Sequence, residues 1–160
     1  MPSATRDYRL LDDNFDCQHN LSYCRTFSWG FSQLFVQFAL QDFVALSKPQ
    51  IVIDIPVGTG RFLEYLKAVD CQAIGFDYTQ EMLDEARKVM DNERHQLQQG
   101  NASDTGFADG KFDCLISLRF FHLFAKNERA PFAREFRRIT RPGGHAIISF
   151  TNGWYAGGIN

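Results

Sequence analysis

The sequence predicts an α/β protein built on a doubly wound, mainly parallel sheet. Three observations carry that expectation. Short β-branched runs alternate with amphipathic stretches, the pattern of βαβ units. The first such run opens into a glycine-rich turn and then a helical stretch. The length, 160 residues, suits one domain around one core. Composition agrees: 44% hydrophobic and 22% charged residues, with 16 phenylalanines and a mean hydropathy of -0.29, disfavour coiled coil, collagen and disorder.

Residues 1–27 are polar and irregular, with Tyr8, Phe15, Tyr23 and Phe27 scattered among them. From Ser28 to Leu46 the residues Phe31, Leu34, Phe35, Phe38, Phe43 and Leu46 follow helical spacing, which predicts a helix with a wide apolar face. Ser28 is its candidate N-cap, and Lys48-Pro49 ends it, because the residue before a proline is pushed out of the α region. Residues 1–49 are therefore expected to form an N-terminal helical segment that can act as a lid, and residues 50–160 the core. Ile51-Val52-Ile53-Asp54-Ile55 is a β-branched run of the kind buried on both faces of a sheet. A turn, Pro56 to Gly60, and a helical stretch from Arg61 to Val69 follow. Ala73 to Asp77 reads as a second strand. Thr79 is a candidate cap for a helix carrying Met82, Leu83, Ala86, Val89 and Met90. His95 to Gln99 is a weaker third strand, and Phe112 to Leu118 a fourth. Asn127 is a candidate cap for a helix running to about Arg141, with Phe132, Phe136 and Ile139 inward and Pro131 in its first turn. Pro142-Gly143-Gly144 is expected to stop that helix, with a fifth strand from Ala146 to Phe150.

Charge and cysteine content narrow the function classes. A net charge of -2 supplies no general field toward nucleic acid or anionic lipid, and neither partner is expected. Arg129, Arg134, Arg137, Arg138 and Arg141 are interleaved with Glu128 and Glu135, the mark of a solvated helix face. No apolar run approaches the roughly 18 residues of a membrane span, and the charged start (Arg6, Asp7, Arg9, Asp12, Asp13) does not read as a secretory signal. Cys17, Cys24, Cys71 and Cys114 form no C-x-x-C pair, so free structural thiols and a cytoplasmic setting are expected. His19, His95 and His145 show no metal spacing, and no metal is expected.

Ligands of doubly wound sheets bind at the carboxyl ends of the strands. The first β-to-helix turn, Asp54-Ile55-Pro56-Val57-Gly58-Thr59-Gly60, is thus the first candidate site. Its glycines permit close backbone approach, and the helix behind offers free N–H groups. Asp77, ending the second strand, can accept bonds from both hydroxyls of a ribose. Together they point to a nucleoside cofactor. Leu63 stands where a dinucleotide fingerprint needs its third glycine, and Asp54 would repel a diphosphate. Both disfavour a nicotinamide enzyme and favour a cationic ligand carrying an amine and a sulfonium.

The turn resembles the first motif of class I S-adenosylmethionine-dependent methyltransferases. Gly75-Phe76-Asp77-Tyr78-Thr79-Gln80-Glu81-Met82-Leu83-Asp84-Glu85-Ala86 resembles the second-strand motif of that family. Gly100-Asn101-Ala102 with Phe107 to Asp113, and Glu135 to Gly144, resemble its two later motifs. The order and spacing are those of the subgroup that includes ubiquinone and menaquinone biosynthesis methyltransferases. The resemblance covers about residues 50–151 and implies a Rossmann-like sheet with strand order 3-2-1-4-5. It implies S-adenosyl-L-methionine as cofactor, with Asp54 on the methionine amine through water. The backbone of Pro56, Gly58, Thr59 and Gly60 would line the methionine moiety, and Asp77 would take the ribose. Tyr78 and Met82 would flank adenine, Asn101 would read its amine and Ala102 would pack the ring. Leu118 and Arg119 would lie near the methionine end of the cofactor and the methyl acceptor, with Leu118 counted among the cofactor-binding residues. Pro56 replaces the usual first glycine and keeps its carbonyl but not its N–H. Asn101 replaces the commoner aspartate and keeps an acceptor oxygen.

Methyl transfer needs a base only when the acceptor must lose a proton. His122 is the candidate, with packing at a helix start as its competing role. Arg119 could hold an acidic substrate or the cofactor carboxylate, against a surface ion pair as the alternative. The family sheet continues beyond a fifth strand, whereas this sequence ends nine residues after Thr151, so the last strands are expected to be missing. Strand five is then an edge, to be covered by the N-terminal segment or by a second copy in a homodimer, unless the sequence is a fragment. The leading expectation is methyl transfer to a small-molecule acceptor. The alternative is a methyltransferase-like binding or regulatory domain without turnover.

Overall fold

The computed structural model describes residues 42–43, 47–90 and 93–149. The helix expected from Ser28 to Leu46 lies outside these residues except at its end, where the Ser47 hydroxyl donates to the Phe43 carbonyl at 2.7 Å. The core elements are β1 (Ile51–Asp54), α1 (Arg61–Leu66), β2 (Gln72–Asp77), α2 (Gln80–Arg87), β3 (His95–Gln99), β4 (Phe112–Ser117), α3 (Ala130–Ile139) and β5 (Thr140–Ile148). Two single-turn 3₁₀ segments, Phe121–Leu123 and Lys126–Glu128, follow β4. The strands form one sheet in the order β3-β2-β1-β4-β5, and all four pairings are parallel. The expected doubly wound sheet is thus present.

The β-branched runs became central strands because both sheet faces are covered. Val52, Ile53, Leu115 and Ile116 are fully buried, as are Leu63 of α1 and Ala86 of α2. Beyond β4 the chain turns through an aromatic cluster: Phe120 lies 4.9 Å from both Phe124 and Phe132 and 6.1 Å from Phe136. Asp113 fixes the opening of β1, its Oδ2 accepting from the Gln50 and Ile51 N–H groups at 2.8 and 2.9 Å, while its Oδ1 takes the Arg141 guanidinium.

The fifth strand departs most from expectation. It starts at Thr140 and runs through Pro142-Gly143-Gly144, the residues expected to separate helix from strand. A bulge makes this workable: Phe112 pairs with Thr140, and the next paired residues are Cys114 and His145. Two features suit the sequence to it. Proline is tolerated on outer strands and at bulges, and β5 is the outer strand of the described sheet. A Cβ on Gly144 would meet the carbonyl oxygens of Arg141 and Asp113, each at 2.9 Å. The edge is partly covered, with the Phe43 ring set edge-on to His145 at 4.8 Å. Asn127 does not cap α3. It lies in a 3₁₀ turn, and α3 starts after Arg129 with Pro131 in its first turn.

Candidate functional site

The site forms where β1, β2 and β4 end. Asp54 closes β1 in register with Gly75 and Ile116. Its side chain is fully buried, and neither carboxylate oxygen has a hydrogen-bond partner. Burial raises its pKa well above the ordinary carboxylate value, and the Asp77 charge adds to the rise. An interior carboxylate without a partner costs several kcal/mol, so this position is built for something other than stability. The chemistry that satisfies it is a cation with N–H donors.

After Asp54 the chain passes through a cis Ile55–Pro56 bond into the glycine turn. Gly58 has φ +54 and Gly60 φ +78, left-handed values that favour glycine. The two differ in surroundings. A Cβ on Gly58 would meet nothing within 4 Å, whereas one on Gly60 would press on the Ala86 Cα and Val89 Cγ2, both at 2.8 Å. Gly60 therefore serves close packing against α2, and Gly58 faces open space. The absent third glycine is explained too. A Cβ on Gly75 would meet Leu63 Cδ1 at 3.0 Å, so Leu63 fills the space that Gly75 leaves, and the small residue sits on the strand instead of the helix.

Asp77 is nearly buried, and its role is wider than the sequence suggested. Its Oδ2 accepts the Gly58 N–H at 2.8 Å, and its Oδ1 accepts the Thr79 N–H at 3.1 Å. The carboxylate thus ties the glycine turn to β2. Burial raises its pKa, opposed by the bonds from Thr79 and Gly58. A ribose on Asp77 would share the oxygen that holds Gly58. Thr79 occupies the N-cap position of α2, yet its hydroxyl makes no cap bond and turns to Asp77 Oδ1 at 3.3 Å.

The remaining expected residues differ in exposure and in partners. Tyr78 is exposed beside Asp77, whereas Met82 is buried in α2. Pro56 and Thr59 are half-buried, as are Asn101 and Ala102, which follow β3. The Gly100 N–H donates to the Asp77 carbonyl at 2.9 Å, which brings Asn101 to the same end of the sheet. The Asn101 Oδ1 already accepts the Ser103 N–H and hydroxyl, both at 2.9 Å. Beyond β4, Leu118 is buried and Arg119 half-buried. Arg119 has φ +60, an uncommon conformation for a non-glycine residue that often marks functional segments. Its N–H donates to Ser149 Oγ at 2.7 Å. His122 is exposed in the next turn, its pKa lowered by partial burial and then by the Arg119 and Arg129 charges. That shift keeps it neutral and able to accept a proton near neutral pH. Among the described residues no cluster of His, Cys, Asp and Glu could hold a metal, and no helix is long and apolar enough to cross a membrane.

Comparison with known proteins gives a consistent picture. The family model described as "Methyltransferase domain" matches residues 53–148. The mouse (Mus musculus) tRNA (carboxymethyluridine(34)-5-O)-methyltransferase ALKBH8 is 35% identical over 105 residues, covering 65% of this chain and 15% of that protein. The chain spans about a seventh of that relative's length. Two solved structures share the fold. One is a Methanococcus maripaludis protein described as an S-adenosyl-L-methionine-dependent methyltransferase, with TM-score 0.68 and 20% identity, covering 93% of this chain and 67% of that one. The other is the PH0226 protein of Pyrococcus horikoshii OT3, with TM-score 0.66 and 22% identity, covering 81% and 57%.

Proposed function

The chain belongs to the methyltransferase-domain family, class I and S-adenosylmethionine-dependent, and on that premise we propose that it binds S-adenosyl-L-methionine and transfers its methyl group to an acidic small-molecule acceptor. One observation carries the cofactor reading: the fully buried Asp54 has two unpartnered oxygens beside a glycine turn whose Gly58 leaves open space. A cationic methionine amine satisfies the carboxylate that nothing else in the described residues satisfies. When bound, the cofactor supplies an activated methyl group, and the protein supplies placement. Asp54 orients the amine, the turn lines the methionine, Asp77 takes the ribose, Tyr78 and Met82 flank adenine, and Asn101 and Ala102 meet its edge and face.

Arg119 supports the acidic acceptor. It follows β4, its backbone is held in the left-handed region by Ser149, and a guanidinium suits a carboxylate. A carboxylate acceptor is already ionised and needs no base; for a hydroxyl or amine acceptor, His122 takes the proton. A second reading has a specific observation behind it: the mouse relative's name gives a carboxymethyluridine of tRNA as acceptor, which is also a carboxylate. The net charge of -2 favours the small molecule. The buried free thiols Cys71 and Cys114 support a reducing, cytoplasmic setting.

The test is a methyl-release assay with labelled S-adenosylmethionine over small carboxylates, hydroxy compounds, amines and tRNA. Turnover on a small acid supports the first reading, turnover on tRNA alone the second. Cofactor binding without turnover on any acceptor identifies a binding or regulatory domain.

A further inference from the structure

One buried charged residue has no part in the site as described. Glu135 lies on α3, 7% exposed, and faces the loop that joins β3 to β4. Its Oε1 accepts the Thr105 N–H at 2.8 Å and the Thr105 hydroxyl at 2.6 Å. Arg138 completes the arrangement: its Nε and Nη2 donate to the two Glu135 oxygens at 2.8 and 2.7 Å, and its Nη1 donates to the Phe107 carbonyl at 2.7 Å and to Asp109 Oδ1 at 2.6 Å. Four bonds thus tie two side chains of one helix to one short loop, and two more join those side chains to each other. Charge-assisted bonds of this kind are short and directional.

The loop so held begins at the cofactor end of the sheet. Residues 101–104 form a closed turn, in which Asp104 N–H donates to the Asn101 carbonyl at 3.0 Å and Asn101 Oδ1 holds Ser103. One side of that turn is fixed by the Gly100 bond to the Asp77 carbonyl. The other side continues directly into Thr105. Glu135 is therefore the second of two anchors that set where Asn101 stands relative to Asp77. Hydroxyl and amide donors that converge on one buried oxygen leave the turn little freedom to rotate.

We propose that Glu135 is a positioning residue for nucleobase recognition, fixing the Asn101 turn through Thr105 and thereby setting the selectivity for an adenine 6-amino group, which takes the place of the Ser103 hydroxyl at Asn101 Oδ1. This rests on the cofactor reading above. Glu135 touches no ligand, and its effect is expressed only through Asn101.

The experiment compares binding of S-adenosylhomocysteine with that of S-inosylhomocysteine, which carries an oxo group in place of the 6-amino group. It uses the full chain, its Glu135→Gln variant and its Thr105→Val and Thr105→Ser variants. Glutamine keeps one acceptor oxygen and turns an N–H toward Arg138 or Thr105, so that one arm of the clamp is lost; valine removes only the hydroxyl, and serine keeps it. The wild type should prefer the adenine compound. Glu135→Gln and Thr105→Val should each reduce that preference about tenfold, through weaker binding of the adenine compound alone, and Thr105→Ser should keep it. Where Glu135→Gln fails to fold, the two Thr105 variants decide. Unchanged preference in Thr105→Val, or equal loss of affinity for both compounds, overturns the proposal and leaves Glu135 a structural clamp. Failure of the wild type to bind either compound overturns the cofactor reading and this proposal with it.

Discussion

Replacing each glycine of the first turn by alanine separates what the fold needs from what the ligand needs. At Gly60 the new Cβ would stand 2.8 Å from both the Ala86 Cα and the Val89 Cγ2. Val89 can yield, but the Ala86 backbone cannot move without shifting α2. The left-handed φ of +78 costs an alanine about 1–2 kcal/mol, and overpacking adds about 1–3 kcal/mol. The expected loss is roughly 2–5 kcal/mol, a large part of the roughly 5–15 kcal/mol that holds a typical domain folded. At Gly58 the φ is +54 and the Cβ meets nothing within 4 Å, so only the backbone cost of about 1–2 kcal/mol applies. The added methyl enters the space proposed for the methionine moiety, and binding should weaken at least about tenfold. Denaturant unfolding with a constant m-value reads the first quantity, and titration with S-adenosylhomocysteine the second. A Gly60→Ala variant as stable as the wild type would refute the packing role of Gly60. A Gly58→Ala variant that matches Gly60→Ala in stability loss and keeps wild-type affinity would refute the division between the two glycines.

Three further outcomes follow from the buried groups. Asp54 has a folded-state pKa above its ordinary 3.8, so the native state holds the extra proton and ligand-free stability falls as pH rises from 3.8 through the raised value. Asp54→Asn removes that slope, and thermal melts should find the variant more stable than the wild type at pH 8, with the gap closing toward pH 4. Glu135 behaves oppositely, its carboxyl held down at about 2 by Arg138 and by the Thr105 bonds. Its contribution is present above the ordinary 4.5 and is lost as pH falls toward 2. Glu135→Gln should cost about 1–3 kcal/mol at pH 7 and little near pH 2, as read from urea midpoints. Burial pushes the Cys71 and Cys114 thiols up to about 11 and about 12, so alkylation at pH 8 followed by mass mapping should leave both unmodified until denaturant is added.

Much of the fold was legible because β1, β2 and β4 are short, largely apolar and buried on both faces. Ile51 to Asp54 and Phe112 to Ser117 could hardly serve another purpose. The reading failed where local signals compete with tertiary pairing. Pro142-Gly143-Gly144 reads as a stop, yet an outer strand with a bulge absorbs all three residues. Asn127 reads as a cap, yet the helix waits for Arg129. At the site, Asp54, Gly58, Gly60 and Asp77 were recognisable from type and order alone. Their division of labour was not, since the Asp77 bond to Gly58 and the packing of Gly60 on Ala86 cross many residues of chain. The Glu135–Thr105 pair, separated by 30 residues, leaves no local signature at all.

The central claim is that the buried, unpartnered Asp54 exists to hold a cationic cofactor. Calorimetric titration of S-adenosylmethionine into the wild type and into Asp54→Asn tests it most directly. Binding to the wild type should be saturable, with a dissociation constant roughly 10 to 150 times larger in the variant, the range expected when a hydrogen bond to a charged group is lost. Equal affinity in the two proteins, or no binding to the wild type, would contradict it.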